Sequence, residues 1–121
     1  MLVWRAMSAF DNGKGPSDVR HGLFGGRGAV CVSSLLNRAA DPFTAVLACE
    51  LEPGGRVGAH VQDAFPELVI GLSGQGQASV DGGVQALEAG DSVFVPLGAV
   101  LTIENLSRDE SLQYLIIKAR G

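Results

Sequence analysis

An all-β sandwich or barrel is the fold that this sequence predicts, and three observations predict it. The apolar runs are short and evenly spaced, Gly and Pro punctuate them, and no window sustains the 3.6-residue period of a helix beyond one short turn near 35–40. The 17 glycines fall in ones and twos along the chain, where they supply the positive φ that tight turns demand, and do not gather into a low-complexity tail. At 121 residues the chain predicts one domain spanning 1–121, with an N-terminal arm and first strands over 1–27 and the main barrel over 43–118.

The elements follow in order. Residues 1–27 have no clear period; Asp11–Ser17 reads as a turn cluster, and four glycines lie between Gly22 and Gly28. Ala29–Leu36 and Phe43–Leu51 read as strands, the second ending at Glu52-Pro53-Gly54-Gly55. Within it the period of two sends Glu50 and Glu52 to water and turns Cys49 and Leu51 inward. Val57–Gln62, Glu67–Leu72, Gln75–Val80, Val84–Leu87, Ser92–Val95, Ala99–Asn105 and Leu112–Lys118 complete the series. Val80-Asp81-Gly82-Gly83-Val84 predicts a tight hairpin, because Asp-Gly tolerates left-handed backbone. No internal repeat suggests a solenoid or propeller.

Charge and composition exclude several functions. The net charge is −4, the only lysines are Lys14 and Lys118, and the arginines are scattered, so the concentrated cations that neutralise phosphates are missing and no nucleic-acid partner is expected. No apolar stretch reaches the ~20 residues of a membrane span, and Met1–Met7 lacks the uninterrupted core of a signal peptide. The expectation is a cytoplasmic protein with no membrane partner, in which Cys31 and Cys49 are buried thiols in a reducing compartment. Gly71–Gly76 is rich in glycine, but no helix follows it to complete a phosphate cradle.

The residues that carry chemistry lie in two stretches. Gly54 is followed after five residues by His60-Val61-Gln62, then after four by Glu67, and after six more by Gly74. Gly90 leads across five residues to Pro96-Leu97-Gly98, then to Leu101 and Asn105. His60 and Gln62 are two apart, so on a strand they share a face; a hairpin loop at Asp63–Pro66 would set Glu67 opposite Gln62 on the neighbouring strand. Three polar side chains then converge inside a barrel, where each costs about 1–3 kcal/mol if unpaired. His60 and Glu67 are the expected acid–base pair, with Glu67 orienting the imidazole; Gln62, Leu101 and the inward Cys49 are the expected ligand contacts.

These stretches resemble the paired motifs of the cupin superfamily, over roughly 43–118. The resemblance implies a double-stranded β-helix, or jelly roll, around an inward pocket. In that family two histidines and a glutamate of the first motif and a histidine of the second bind a divalent metal. Here Gln62 and Leu101 stand at two of the histidine positions, so only His60 and Glu67 carry over unchanged. The implied cofactor is none, or a weakly held Zn, Fe, Ni or Mn on His60, Gln62 and Glu67.

Three functions follow from the resemblance: a small-molecule pocket with isomerase- or epimerase-like acid–base chemistry, a metal-dependent enzyme of the dioxygenase, isomerase or cyclase kind, or a non-catalytic ligand sensor. Small members of the family commonly pair, so a homodimer is expected, with Leu2, Val3, Trp4 and Phe10 supplying apolar surface.

Overall fold

The computed structural model describes residues 17–120. Of the turn cluster expected over Asp11–Ser17 only Ser17 is described, and it is a strand residue; the rest of the cluster and the dimer surface expected over 1–10 lie outside the described residues. Among the described residues ten strands run in order: β1 (Ser17–His21), β2 (Ala29–Ser34), β3 (Phe43–Leu51), β4 (Arg56–Val61), β5 (Glu67–Ser73), β6 (Gln75–Val80), β7 (Gly83–Glu88), β8 (Ser92–Val95), β9 (Val100–Asn105) and β10 (Leu112–Ala119). A 3-10 turn, Leu23–Gly25, lies between β1 and β2. Nine strands answer the apolar runs read from the sequence. The first does not: Ser17–His21 sits in a stretch without visible period, and becomes a strand because β2 offers it an edge, with Arg20 opposite Val30. The short turn expected near 35–40 is loop.

The strands form two antiparallel sheets, one ordered β1-β2-β3-β10-β5-β8 and the other β4-β9-β6-β7. They face one another as an all-β jelly roll. Leu51, Val57, Val69, Ala78, Leu87, Val93, Val95, Leu101, Ile103, Leu112 and Tyr114 fill the space between them. The β6–β7 hairpin turns on Asp81 (φ 50) and Gly82 (φ 85), the left-handed pair that Asp-Gly predicts. No helix among the described residues is long and apolar enough to cross a membrane.

Two expectations fail here. Glu50 does not face water: it is 6 % exposed on the outer side of β3, because β3 lies inside the larger sheet and its register neighbours Cys31 and Gln113 cover it. Gln113 Nε2 donates to its carboxylate at 3.4 Å. And β4 and β5 are not a hairpin. β4 pairs with β9 in the smaller sheet, whereas β5 pairs with β10 and β8 in the larger. Residues 62–66 therefore cross from one sheet to the other, and Glu67 meets Lys118 and Val95 across its strand, not Gln62.

Candidate functional site

A cavity of about 120 Å³ lies between the sheets. Its floor is apolar, with Val30, Val57, Leu101 and Ile103 all nearly or fully buried. Arg20, His60, Glu67 and Lys118 bring their polar groups to its lining, as do Cys49 and Tyr114.

His60 reaches the cavity through a fault in β4. Val57 pairs with Ile103, but His60 pairs with Leu101, so three steps along β4 match two along β9. Such a bulge re-aims the residues that follow it. It also leaves the Gly58 carbonyl 2.8 Å from His60 Nδ1. A carbonyl only accepts, so Nδ1 carries the proton and donates it, which leaves Nε2 as the nitrogen with the free lone pair when the ring is neutral. Burial pushes the imidazole below its usual range; the Gly58 hydrogen bond partly opposes this and the Lys118 charge adds to it, so the ring is held toward neutral.

The loop between β1 and β2 covers this histidine. Phe24 stacks on the imidazole, with ring centroids 4.0 Å apart and planes 14° from parallel. The loop approaches so closely that only glycine fits at the crossing. A Cβ on Gly58 would stand 2.0 Å from the Phe24 carbonyl oxygen, and one on Gly26 would stand 1.8 Å from that of Arg56. Phe24 itself adopts φ 54, ψ 35, a left-handed conformation that bulky residues rarely take. Paired backbone bonds between Arg27 and Arg56, at 2.9 and 2.8 Å, fasten the far side of the loop.

Glu67 opens β5 and is 3 % exposed. Its Oε1 lies 3.8 Å from Lys118 Nζ, while Oε2 is buried with no hydrogen-bond partner among the described residues. Burial raises the carboxyl above its ordinary range and the Lys118 ammonium only partly opposes this. Behind it, Tyr114 and Cys49 are buried register partners across the β3–β10 pair. Burial and the Glu67 charge push the Cys49 thiol up to about 12, and burial pushes Tyr114 well above its usual value.

Of the five residues singled out from the sequence, His60, Glu67, Cys49 and Leu101 line one cavity, and Gln62 does not. Gln62 is buried beyond the end of β4, where its backbone amide bonds to the Ala99 carbonyl and its own carbonyl accepts from Gly98. The expected convergence of three polar groups thus shrinks to two. Glu67 does not orient His60 either; the Gly58 carbonyl does that. Cys49 lines the cavity as a buried thiol, its proton held by burial. Phe24, Lys118, Arg20 and Tyr114 were not singled out as site residues. The four glycines in the seven residues around Phe24 are the signal that could have marked a close backbone approach, whereas the place of Lys118 depends on a pairing between distant strands.

The donor set does not fit the metal that the family resemblance implies. Among the described residues no three of His, Cys, Asp or Glu are grouped to hold an ion. The ammonium of Lys118 stands beside the one carboxylate, and Leu101 occupies a ligand position with hydrocarbon.

The comparisons with known proteins agree with this architecture. No curated protein matches the sequence. Among solved structures, a predicted oxalate decarboxylase from Thermotoga maritima superposes with a TM-score of 0.81 at 24% identity, covering 99% of this chain and 100% of that one. A cupin-2 domain from Rhodospirillum rubrum superposes at 0.76 with 18% identity, covering 100% and 78%. KdgF from Halomonas sp. superposes at 0.69 with 15% identity, covering 95% and 96%. Identities this low carry the fold alone. The cupin domain family matches residues 47–118, more than half of the chain, and with the two-sheet barrel and its inward cavity this makes the protein a member of the cupin family.

Proposed function

We propose that the protein binds a small molecule in the cavity between its sheets and moves a proton on it, with His60 as base and Glu67 as the partner acid. The observation that carries this reading is the pairing, in one cavity, of a neutral imidazole with a single free nitrogen and a buried carboxyl whose Oε2 has no hydrogen-bond partner among the described residues. An effective acid–base pair has one member ready to accept and the other ready to give near working pH. His60 is depressed toward the neutral base, and Glu67 is raised toward the neutral acid. Phe24 and the Gly58 carbonyl hold the ring so that Nε2 is its acting atom. Such a pair moves a hydrogen next to a carbonyl, the isomerase- or epimerase-like chemistry expected from the resemblance.

The test is exchange of carbon-bound hydrogen for deuterium in D2O, followed by NMR on a panel of small ketones and 2-oxo acids. The parent exchanges at least one of them, and His60→Gln and Glu67→Gln each abolish the exchange. A panel member that raises the melting temperature without exchanging favours the sensor reading. Metal retained through dialysis by the parent, and lost in His60→Ala and Glu67→Ala, favours the metal-dependent one.

A homodimer in the cytoplasm completes the proposal. In its support, Leu115, Ile70, Ile117, Leu68 and Phe94 lie in adjoining register rows on the outer face of the larger sheet. A water-facing sheet would put polar residues there. A single-chain mass by light scattering refutes the dimer.

A further inference from the structure

The cavity sets two cations that reach solvent against a deeply buried group of hydrocarbon side chains, and that contrast limits what it can hold. At the mouth stand the two cations, Arg20 with half of its side chain exposed and Lys118 with about a third, each free to turn toward a bound group. Arg20 spends one nitrogen on Asp18 in an ion pair exposed on both sides. Such pairs are weakly held, and the guanidinium has further donors to offer. Lys118 has only a loose partner in Glu67, 3.8 Å away. Against these two charges the described lining sets one carboxyl and one imidazole. Val30, Val57, Leu101 and Ile103, the deepest apolar lining, offer a charge only hydrocarbon.

We infer that the ligand is a small monocarboxylate with an apolar body, its carboxylate at the mouth on Lys118 and Arg20 and its body on Leu101 and Ile103. This deepens the proposal above and rests on it. The size follows from the volume: a dry cavity of ~150 Å³ accepts benzene. The space here is about 120 Å³, so a body of about four to six carbons fills it. A dicarboxylate of the same length is rejected, because its second charge would be buried without a partner on the floor. Glu67 Oε2, buried and unpartnered, is the group that the bound carboxylate completes. With the carboxyl protonated it donates a hydrogen bond to the incoming oxygen and keeps its proton.

The experiment is an NMR titration of the full chain with pentanoate, pentanol, pentylamine and pentanedioate, following the resonances of Leu101, Ile103 and Tyr114. Pentanoate is expected to shift these three and to bind about tenfold or more tighter than each of the other probes. Lys118→Met should weaken pentanoate about five- to tenfold while leaving pentanol unchanged, which a folding defect would not do. Equal or tighter binding of pentanol, pentylamine or pentanedioate at those residues overturns the monocarboxylate assignment and leaves the pocket reading standing. If none of the four shifts them, both fall. Unaltered pentanoate affinity in Lys118→Met overturns the placement of the head group.

Discussion

Gly58→Ala tests the link between the loop and the histidine. Gly58 does not have left-handed φ, so alanine meets no backbone strain there, and the whole effect comes from the added methyl. That methyl would stand 2.0 Å from the Phe24 carbonyl oxygen, 2.8 Å from its carbon and 2.9 Å from the Gly26 nitrogen. Ordinary contact begins near 3.4 Å, and all three neighbours are backbone, so the loop must retreat by more than an ångström. Retreat breaks the Phe24–His60 stack, about 0.5–1.5 kcal/mol, and strains or breaks the two Arg27–Arg56 backbone bonds, about 0.5–1.5 kcal/mol each. The expected loss is about 2–4 kcal/mol, read as a fall of about 1–2 M in the urea midpoint.

The same change uncovers the imidazole, so the His60 pKa, followed through its ring protons, rises toward 6.5. Gly82→Ala is the control. It has φ 85 and nothing within 4 Å, so it pays only the left-handed cost of about 1–2 kcal/mol and leaves His60 unmoved. A Gly58→Ala protein within about 0.5 kcal/mol of the parent, with the His60 titration unchanged, would refute the reasoning.

Three further outcomes are expected. Glu67 has its folded pKa raised above the 4.5 of an unperturbed carboxyl, so its contribution to stability is full below pH 4.5 and is lost as pH rises through the folded value; Glu67→Gln should therefore gain on the parent as pH climbs from 4 to 8, and a constant difference across that range rejects the assignment. His60 is shifted the other way, its contribution complete above pH 6.5 and lost as pH falls through the folded value; Phe24→Ala should bring the ring's pKa up toward 6.5 by NMR, and no movement would mean that the stack does not shield it. Cys49, held near 12, exposes about one thiolate in ten thousand at pH 8, so an aromatic disulfide reagent should find no reactive thiol in the native protein until urea is added.

Local pattern carried most of the fold. Period-two alternation and turn chemistry are properties of neighbouring residues, so Phe43–Leu51, Gln75–Val80 and Ser92–Val95 begin and end where the sequence predicts. What the chain could not declare is which strand lies beside which. Asp63–Pro66 has the length of a hairpin loop but joins different sheets, and only the placement of β10 beside β5 brings Lys118 to Glu67. β1 was hidden for the same reason, since its order comes from an edge that β2 provides. Glu50 alternates correctly with Cys49 and Leu51; the expectation failed because an interior strand can have both faces covered.

The position of His60 brings the two kinds of information into conflict. Val57 faces the core, and unbroken alternation from it would send Ala59 inward and His60 out to solvent. The motif spacing demands the reverse. The bulge between Val57 and His60 reconciles them, and in doing so sets the chemistry. One extra residue turns the imidazole toward Leu101 and supplies the Gly58 carbonyl that fixes its tautomer. Because residue 58 is glycine, the 22–28 loop can press against it and lay Phe24 on the ring. Orientation, protonation and shielding of the base thus share one local cause. Leu101, directly opposite on β9, places hydrocarbon where the family pattern has an imidazole, so the histidine that remains faces a floor suited to a carbon skeleton and not to an ion.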